Sequence, residues 1–313
     1  MRYLAAALLL LLLAGCRGAA DGPMNGVLVV YEAGQEEAAE AFASSLQRVV
    51  ATVDPEPVFS FSYALRDELD AGLKLRRTIL FIASPGSDIP GGLARTTGGY
   101  LRGRDIWARG QAVFAASPDS CDAGALSRDL EMAYNRHLEA YIYQSFVSTS
   151  MSSSQRIDSL RSVGFFLDVP RSYRTADWRP EDRFIQFQRT LGQEGMIMLT
   201  ISWKPGEILG TALEAVEARQ LMARRYFYDA SADSVDMARL SVGPWQVGGF
   251  PGWVLLGEWR NPEHLNAGGF TSYVLQSDSG VWILDVEVYN PGSEKEPYIR
   301  EGWLIMNTFS PEG

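Results

Sequence analysis

Lysine is nearly absent from this sequence: of 28 basic residues, only Lys74, Lys204 and Lys295 are not arginine. Histidine and cysteine are scarcer still, with two of each. His137 and His264 have no partner at metal-ligand spacing such as His-x-x-x-His, so neither a metal site nor any other cofactor is expected. Gly-x-Ser-x-Gly, Ser-x-x-Lys, phosphate-loop and dinucleotide-binding patterns are missing too. A Ser-His-Asp triad is recognised by geometry rather than by spacing, but two histidines leave few ways to build one. No cluster of basic residues offsets the formal net charge of -10. That sets nucleic acid aside, because neutralising phosphates supplies most of the affinity in such complexes. After residue 13 no apolar run approaches the roughly 20 residues that a membrane-spanning helix requires.

What is present is ordinary globular material, 46% hydrophobic and 21% charged over 313 residues, enough for about two domains. The start of the chain is the most specific part. Met1-Arg2-Tyr3 is a short positive region, Leu4 to Leu13 is an unbroken Leu/Ala stretch, and Leu13-Ala14-Gly15-Cys16 follows directly. This is the plan of a secretory signal peptide, and Leu-Ala-Gly-Cys resembles the lipobox of bacterial lipoproteins. That resemblance implies lipid attachment at Cys16, cleavage before it, and export. The alternative is an ordinary signal peptide or short anchor with a coincidental cysteine. Each acyl methylene buried in a bilayer contributes about 0.8 kcal/mol, so several chains make a stable anchor. Arg17 is not the Asp that retains many such proteins at the inner membrane, and no acidic cluster follows Cys16. The expected location is therefore the outer membrane, facing the periplasm. With Cys16 lipidated, Cys121 has no partner for an internal disulfide.

The expected organisation is a leader (1–16), a tether (17–26), an N-terminal α+β domain (27–153) and a C-terminal α+β domain (154–313). Each domain is expected to hold a mostly antiparallel sheet with flanking helices. Val27 to Tyr31, Thr78 to Ala83 and Gln111 to Ala116 read as strands, and Ser84 to Arg104, rich in Pro-Gly and Gly-Gly, as an irregular loop. Leu126, Leu130, Tyr134, Leu138 and Ile142 recur at helical spacing, and the helix fades into the serine-rich run at 148–154, taken as the domain boundary. Thr211-Ala212-Leu213-Glu214 is a capping box that opens a helix with Leu213, Val216, Ala223 and Phe227 on one stripe. Trp253 to Arg260, Phe270 to Leu275 and Val281 to Tyr289 suggest an antiparallel meander.

Several segments, in order, resemble an uncharacterised lipoprotein family of Bacteroidota and their relatives, known only as a domain of unknown function. They are Pro55-Glu56-Pro57-Val58-Phe59, Arg76-Arg77-Thr78-Ile79-Leu80, Trp107 with Gln111-Ala112-Val113, and Phe166 to Tyr173 with its Pro-x-x-Tyr exit. Leu256-Gly257-Glu258-Trp259, Asn266 to Phe270 and Val286 to Gly292 continue the series. The resemblance spans nearly the whole chain beyond the leader and implies a lipoprotein address without assigning chemistry. The half from Phe165 to Phe309 is also similar to the α/β/α sandwich of photosystem oxygen-evolving subunits and their non-enzymatic relatives, an analogy of fold alone.

Two side-chain groups are candidates for function. Asp285 and Glu287 alternate onto one face of a strand, their Cα atoms about 7 Å apart, and Glu258 lies on an expected neighbouring strand. Such carboxylates act as acid and base on a glycan when about 5 to 9 Å apart. Equally, they form the polar face of a half-covered sheet. The second group is aromatic. Trp245 and Trp253 flank a Gly-Gly-Phe-Pro-Gly loop, and with Phe270 they are candidate binding residues for a sugar or a protein. Three functions follow: a membrane-anchored, non-enzymatic envelope protein that binds a protein or glycan; a glycan hydrolase using Glu258, Asp285 or Glu287; or a carrier of an apolar ligand.

Overall fold

The computed structural model describes residues 18–84, 86–143, 154–227 and 234–311. The leader with Cys16 and nearly all of the serine-rich run at 148–154 lie outside the described residues. The chain divides into two compact units: residues up to Arg48 together with Pro57–His137, and Val49–Glu56 together with Leu138 onward. Both hold a sheet with helices, so the α+β class and the two-domain plan agree with the sequence. The division falls at His137/Leu138, inside the long helix, rather than after residue 153, because the last turns of that helix pack with the second unit. Among the described residues no helix is long and apolar enough to cross a membrane.

The chain first forms β1 (Gly26–Tyr31) and α1 (Glu36–Leu46), then the short strands β2 (Val49–Val50) and β3 (Glu56–Pro57), which pair with each other. β4 (Ser60–Leu65), β5 (Thr78–Ile82), β6 (Ala94–Arg95), β7 (Leu101–Arg104) and β8 (Ala112–Ala116) complete the first unit's sheet, in the order β4-β1-β5-β8-β7-β6. The first four strands of that order are parallel, and only the β7 and β6 pairings are antiparallel. This corrects the expectation of a mostly antiparallel sheet in this half. The cause is visible in composition: β5 and β8 are buried at every residue, as strands covered on both faces are. α1 supplies the crossover that parallel neighbours need. α2 (Ala123–Tyr143) joins α1 on one face, where the Ser127 hydroxyl donates to the Leu46 carbonyl at 2.7 Å. Leu69, Leu93, Ile106 and Trp107 of the connecting loops cover Leu28, Val30, Ile79, Phe81 and Val113 on the other. The expected free tether is bound from Ala19 onward: Ala19 bridges to Arg109, Asp21 bridges to Arg76, and Ala20 is buried.

In the second unit come α3 (Ser154–Ser162), β9 (Phe165–Phe166), β10 (Arg174–Arg179), β11 (Phe184–Leu191), β12 (Gly195–Pro205) and α4 (Ala212–Tyr226). β13 (Ser234–Val235), β14 (Ser241–Val247), β15 (Phe250–Asn261), β16 (Asn266–Ser277), β17 (Gly280–Tyr289), α5 (Glu296–Met306) and β18 (Ser310–Pro311) follow. The main sheet runs β10-β11-β12-β17-β16-β15-β13, with β14 also on β15, and every pairing is antiparallel. Alternation sorts the side chains of β17. Trp282, Leu284, Val286 and Val288 pack with α3 and α5, while Val281 and Ile283 pack with α4. That is the expected α/β/α sandwich. α5 sits very close to the sheet, since a Cβ on Gly302 would meet both Val286 methyls at 2.5 Å. Segment 49–56 belongs here because Glu56 caps α5, its carboxylate accepting from the Lys295 and Glu296 amides at 2.7 Å each.

Candidate functional site

α4 positions the centre of the second unit. Its capping box forms as expected: the Glu214 amide donates to the Thr211 hydroxyl at 3.2 Å, and the Glu214 carboxylate accepts from the Thr211 amide at 2.9 Å. The expected stripe is rotated, however. Leu213 is exposed, and the buried face carries Ala215, Val216, Ala218, Arg219, Met222 and Ala223.

Arg219 explains the rotation. Its Nε and Nη2 donate to the two Asp285 oxygens at 3.1 and 3.2 Å, and Nη2 also donates to Glu287. The Ser272 hydroxyl donates to Asp285, and the guanidinium lies 3.9 Å over the centre of the Phe270 ring. All five residues are buried. Burial by itself would lower the Arg219 pKa, but the two carboxylates outweigh it and hold it above its ordinary value. The carboxylates lie on one sheet face, as the sequence indicated, but as the closed half of an ion-pair cluster.

Glu258 does not join them. It is opposite Gly269, which is opposite Val288, so it sits on the α5 face of the sheet. β16 also separates its strand from β17. There Arg239 donates to Glu258 Oε2 at 2.9 Å and Arg260 to Oε1 at 2.5 Å. The three candidate binding aromatics are likewise dispersed. Trp245 is 41% exposed on β14, 5.6 Å from Tyr273. Trp253 is half-buried on the α4 face beside Leu255, and Phe270 is fully enclosed under Arg219. Cys121 is half-buried just before α2, and burial pushes its thiol pKa up.

Beyond the C-terminal end of α4, the sheet face it leaves uncovered forms a cleft of about 570 Å³, a size typical of small-molecule sites. Met196 is opposite Tyr289, and Met198 is opposite Glu287. Trp259, opposite Gly268, completes the floor, and Tyr226 and Phe227 form a wall. Trp259 lies over Gly268 because there is no side chain beneath it: a Cβ at 268 would meet the indole Nε1 at 2.5 Å. The indole and Tyr289 rings are 6.3 Å apart, and the Tyr289 hydroxyl donates to Asn266 at 3.1 Å. The rim is polar, with Gln186, Glu194, Asn261, Asn266 and His264, and among the described residues neither lysine nor arginine lines it. A smaller recess of about 250 Å³ shares Trp259, Phe227 and Glu287 and ends on Arg219. No group of three His, Cys, Asp or Glu side chains suited to a metal occurs among the described residues.

Sequence reasoning missed Arg219, Met196, Met198, Trp259 and Tyr289 as parts of one place. The available signal was Gly268 opposite Trp259, which requires the register of β15 and β16.

No protein-family model matches the chain, and no curated protein matches it by sequence. Solved structures similar to part of it include two from bacteria. One is cyanobacterial PsbP (CyanoP) from Synechocystis sp. PCC 6803, 12% identical with a TM-score of 0.35, over 48% of this chain and 88% of its own. The other is LpqN of Mycobacterium tuberculosis, involved in cell envelope biogenesis, 14% identical with a TM-score of 0.32, over 48% of this chain and 83% of its own. Likeness at this level assigns no function to the chain.

Proposed function

We propose that this is a lipid-anchored protein of the bacterial cell envelope, held through Cys16 at the periplasmic face of the outer membrane, that binds rather than catalyses. In this reading the cleft beyond α4 takes a neutral, hydroxyl-rich ligand of the saccharide type. The leader, the Leu-Ala-Gly-Cys motif and the resemblance to the Bacteroidota lipoprotein family support the address. The observation that carries the binding role is the state of the carboxylates. Asp285, Glu287 and Glu258 all end on arginines. A glycosidase needs two carboxyl groups facing one bond, one of them free to hold a proton. The cleft supports the ligand class. Its Trp259 and Tyr289 rings suit the C–H face of a sugar. Its rim amides and the Glu194 carboxylate suit hydroxyls, and the lack of any lysine or arginine among the described lining residues disfavours phosphates and carboxylates.

The test is a tryptophan-fluorescence titration with N-acetylglucosamine oligosaccharides, followed by mass spectrometry of the sugar. Saturable quenching is expected, weakened by Trp259→Phe and Tyr289→Phe, unchanged in Trp245→Phe, with the oligosaccharide recovered intact. Cleaved product that disappears in Glu287→Gln would replace this reading with a hydrolase.

A further inference from the structure

The first unit holds a groove of opposite character. It has a volume of about 930 Å³ and is lined by Arg48, Arg95, Arg102 and Arg128 against only two acids, Asp129 and Glu131. Its walls are the β6–β7 edge hairpin and one stripe of α2, where Ala125, Arg128, Asp129 and Met132 recur at helical spacing. Arg102 bonds Asp129 at 2.8 Å, and Arg48 pairs with Glu131. Both acids are thereby engaged. Arg95 and Arg128 are exposed and have no ion-pair partner among the described residues. Two more arginines crowd the same place. Burial, with the charges of Arg104 and Arg102, holds the Arg136 pKa below its ordinary value. A local excess of positive charge therefore stands on a chain of net charge -10.

This groove lies close to where the chain joins the unit. The Arg109 amide donates to the Gly18 carbonyl, and the Ala20 amide donates to the Arg109 carbonyl, both at 2.9 Å. The Arg109 loop is continuous with the end of β7: Arg104 is opposite Ala112, and the Asp105 amide donates to Gln111. Arg104 and Arg109 are both exposed. Arg102 is two residues along the strand from Arg104, about 7 Å. Cys16 is two residues from Gly18, so at most about 7 Å of chain separates them. Attraction between arginines and an anionic leaflet fades within a Debye length of about 10 Å, so a tether this short keeps the face within range.

We infer that the arginine groove of the first unit docks on the phosphate headgroups of an anionic phospholipid surface, the membrane that the Cys16 anchor reaches. The inference takes its setting from the proposed anchor, but its chemistry stands apart from it.

The experiment uses the chain from residue 16 with Cys16→Ser, free of acyl groups, sedimented with vesicles of phosphatidylcholine alone or mixed with phosphatidylglycerol. Binding is expected only to the mixed vesicles and is expected to weaken with salt. Arg95→Gln and Arg128→Gln should each reduce it about fivefold, and the double variant by the product. Arg174→Gln, an equal charge change on exposed β10, should leave it unchanged, with circular dichroism confirming that all variants fold. Equal binding to both vesicles, or loss with Arg174→Gln as large as with Arg95→Gln, would overturn the proposal. So would arginine-dependent binding of inorganic phosphate without vesicle binding, which would make this a soluble-anion site. Mass spectrometry of native Cys16 reads the anchor separately. An unmodified sulfur with arginine-dependent vesicle binding removes the anchor and keeps the groove, and lipidated Cys16 with no phosphatidylglycerol dependence does the reverse.

Discussion

In the second unit Arg189, Arg219, Arg239, Arg260 and Arg300 each end on a buried carboxylate, whereas in the first Arg95 and Arg128 end in solvent. Residue type is the same and the consequence differs. A charge taken out of water is tolerable only when paired and fully hydrogen-bonded, and such a pair contributes little net stability even though breaking it is costly. These five arginines of the second unit are therefore committed to its own interior, and none of them lines the cleft beyond α4. The first unit's surplus keeps its charge for something outside the chain.

The largest effect that tests this contrast is Arg219→Met. It strands Asp285 and Glu287 under α4 and should cost roughly 3–5 kcal/mol in denaturant unfolding of the full chain. Adding Asp285→Asn and Glu287→Gln should restore most of that loss. If Arg219→Met alone is neutral, the cluster is not the commitment described.

Next is His137, a buried base of the first unit facing the backbone of Met24 and Gly110, and held by burial at a pKa of about 4 against an ordinary 6.5. The unfolded chain takes up this proton first as pH falls. The stability that His137 contributes is thus present above pH 6.5 and is lost on going down towards pH 4, by about 3 kcal/mol in full. A flatter pH–stability curve in His137→Gln, read by thermal unfolding, is the expected signature.

Gly268→Ala is smaller and local. The added methyl group meets the Val288 carbonyl and the Trp259 ring, costs about 1–3 kcal/mol, and lifts the cleft floor, so melting temperature and oligosaccharide binding should fall together. Thr211→Ala removes the cap of α4 and should cost about 1 kcal/mol without touching the cleft. Arg128→Gln closes the series, with a stability change within about 0.5 kcal/mol, because the side chain holds nothing inside the fold.

Patterns carried by one segment were legible in the sequence. The apolar runs gave β1, β5 and β8, the Thr211–Glu214 capping box gave the start of α4, and alternation along β17 put Asp285 and Glu287 on one face. What depends on pairing was not. Parallel order in the first sheet needs the crossover of α1, which an apolar run does not announce. Arg219 carries no signal within α4 itself, because its partners lie more than sixty positions away. Glu258 was grouped with Asp285 and Glu287 because the register of β15 on β16, which turns it to the opposite face, is set by hairpin geometry. Ser84 to Arg104 read as irregular because β6 and β7 are short and polar, yet they form one wall of the arginine groove.

The proposed division of roles makes the buried carboxylates structural and the cleft beside them a place that binds without cleaving. It is tested most directly with the neutralised variant Arg219→Met/Asp285→Asn/Glu287→Gln, measuring oligosaccharide affinity and product release against the unaltered chain. The account predicts affinity within about threefold and intact sugar from both proteins. Product released by the unaltered chain and abolished in the variant would contradict it.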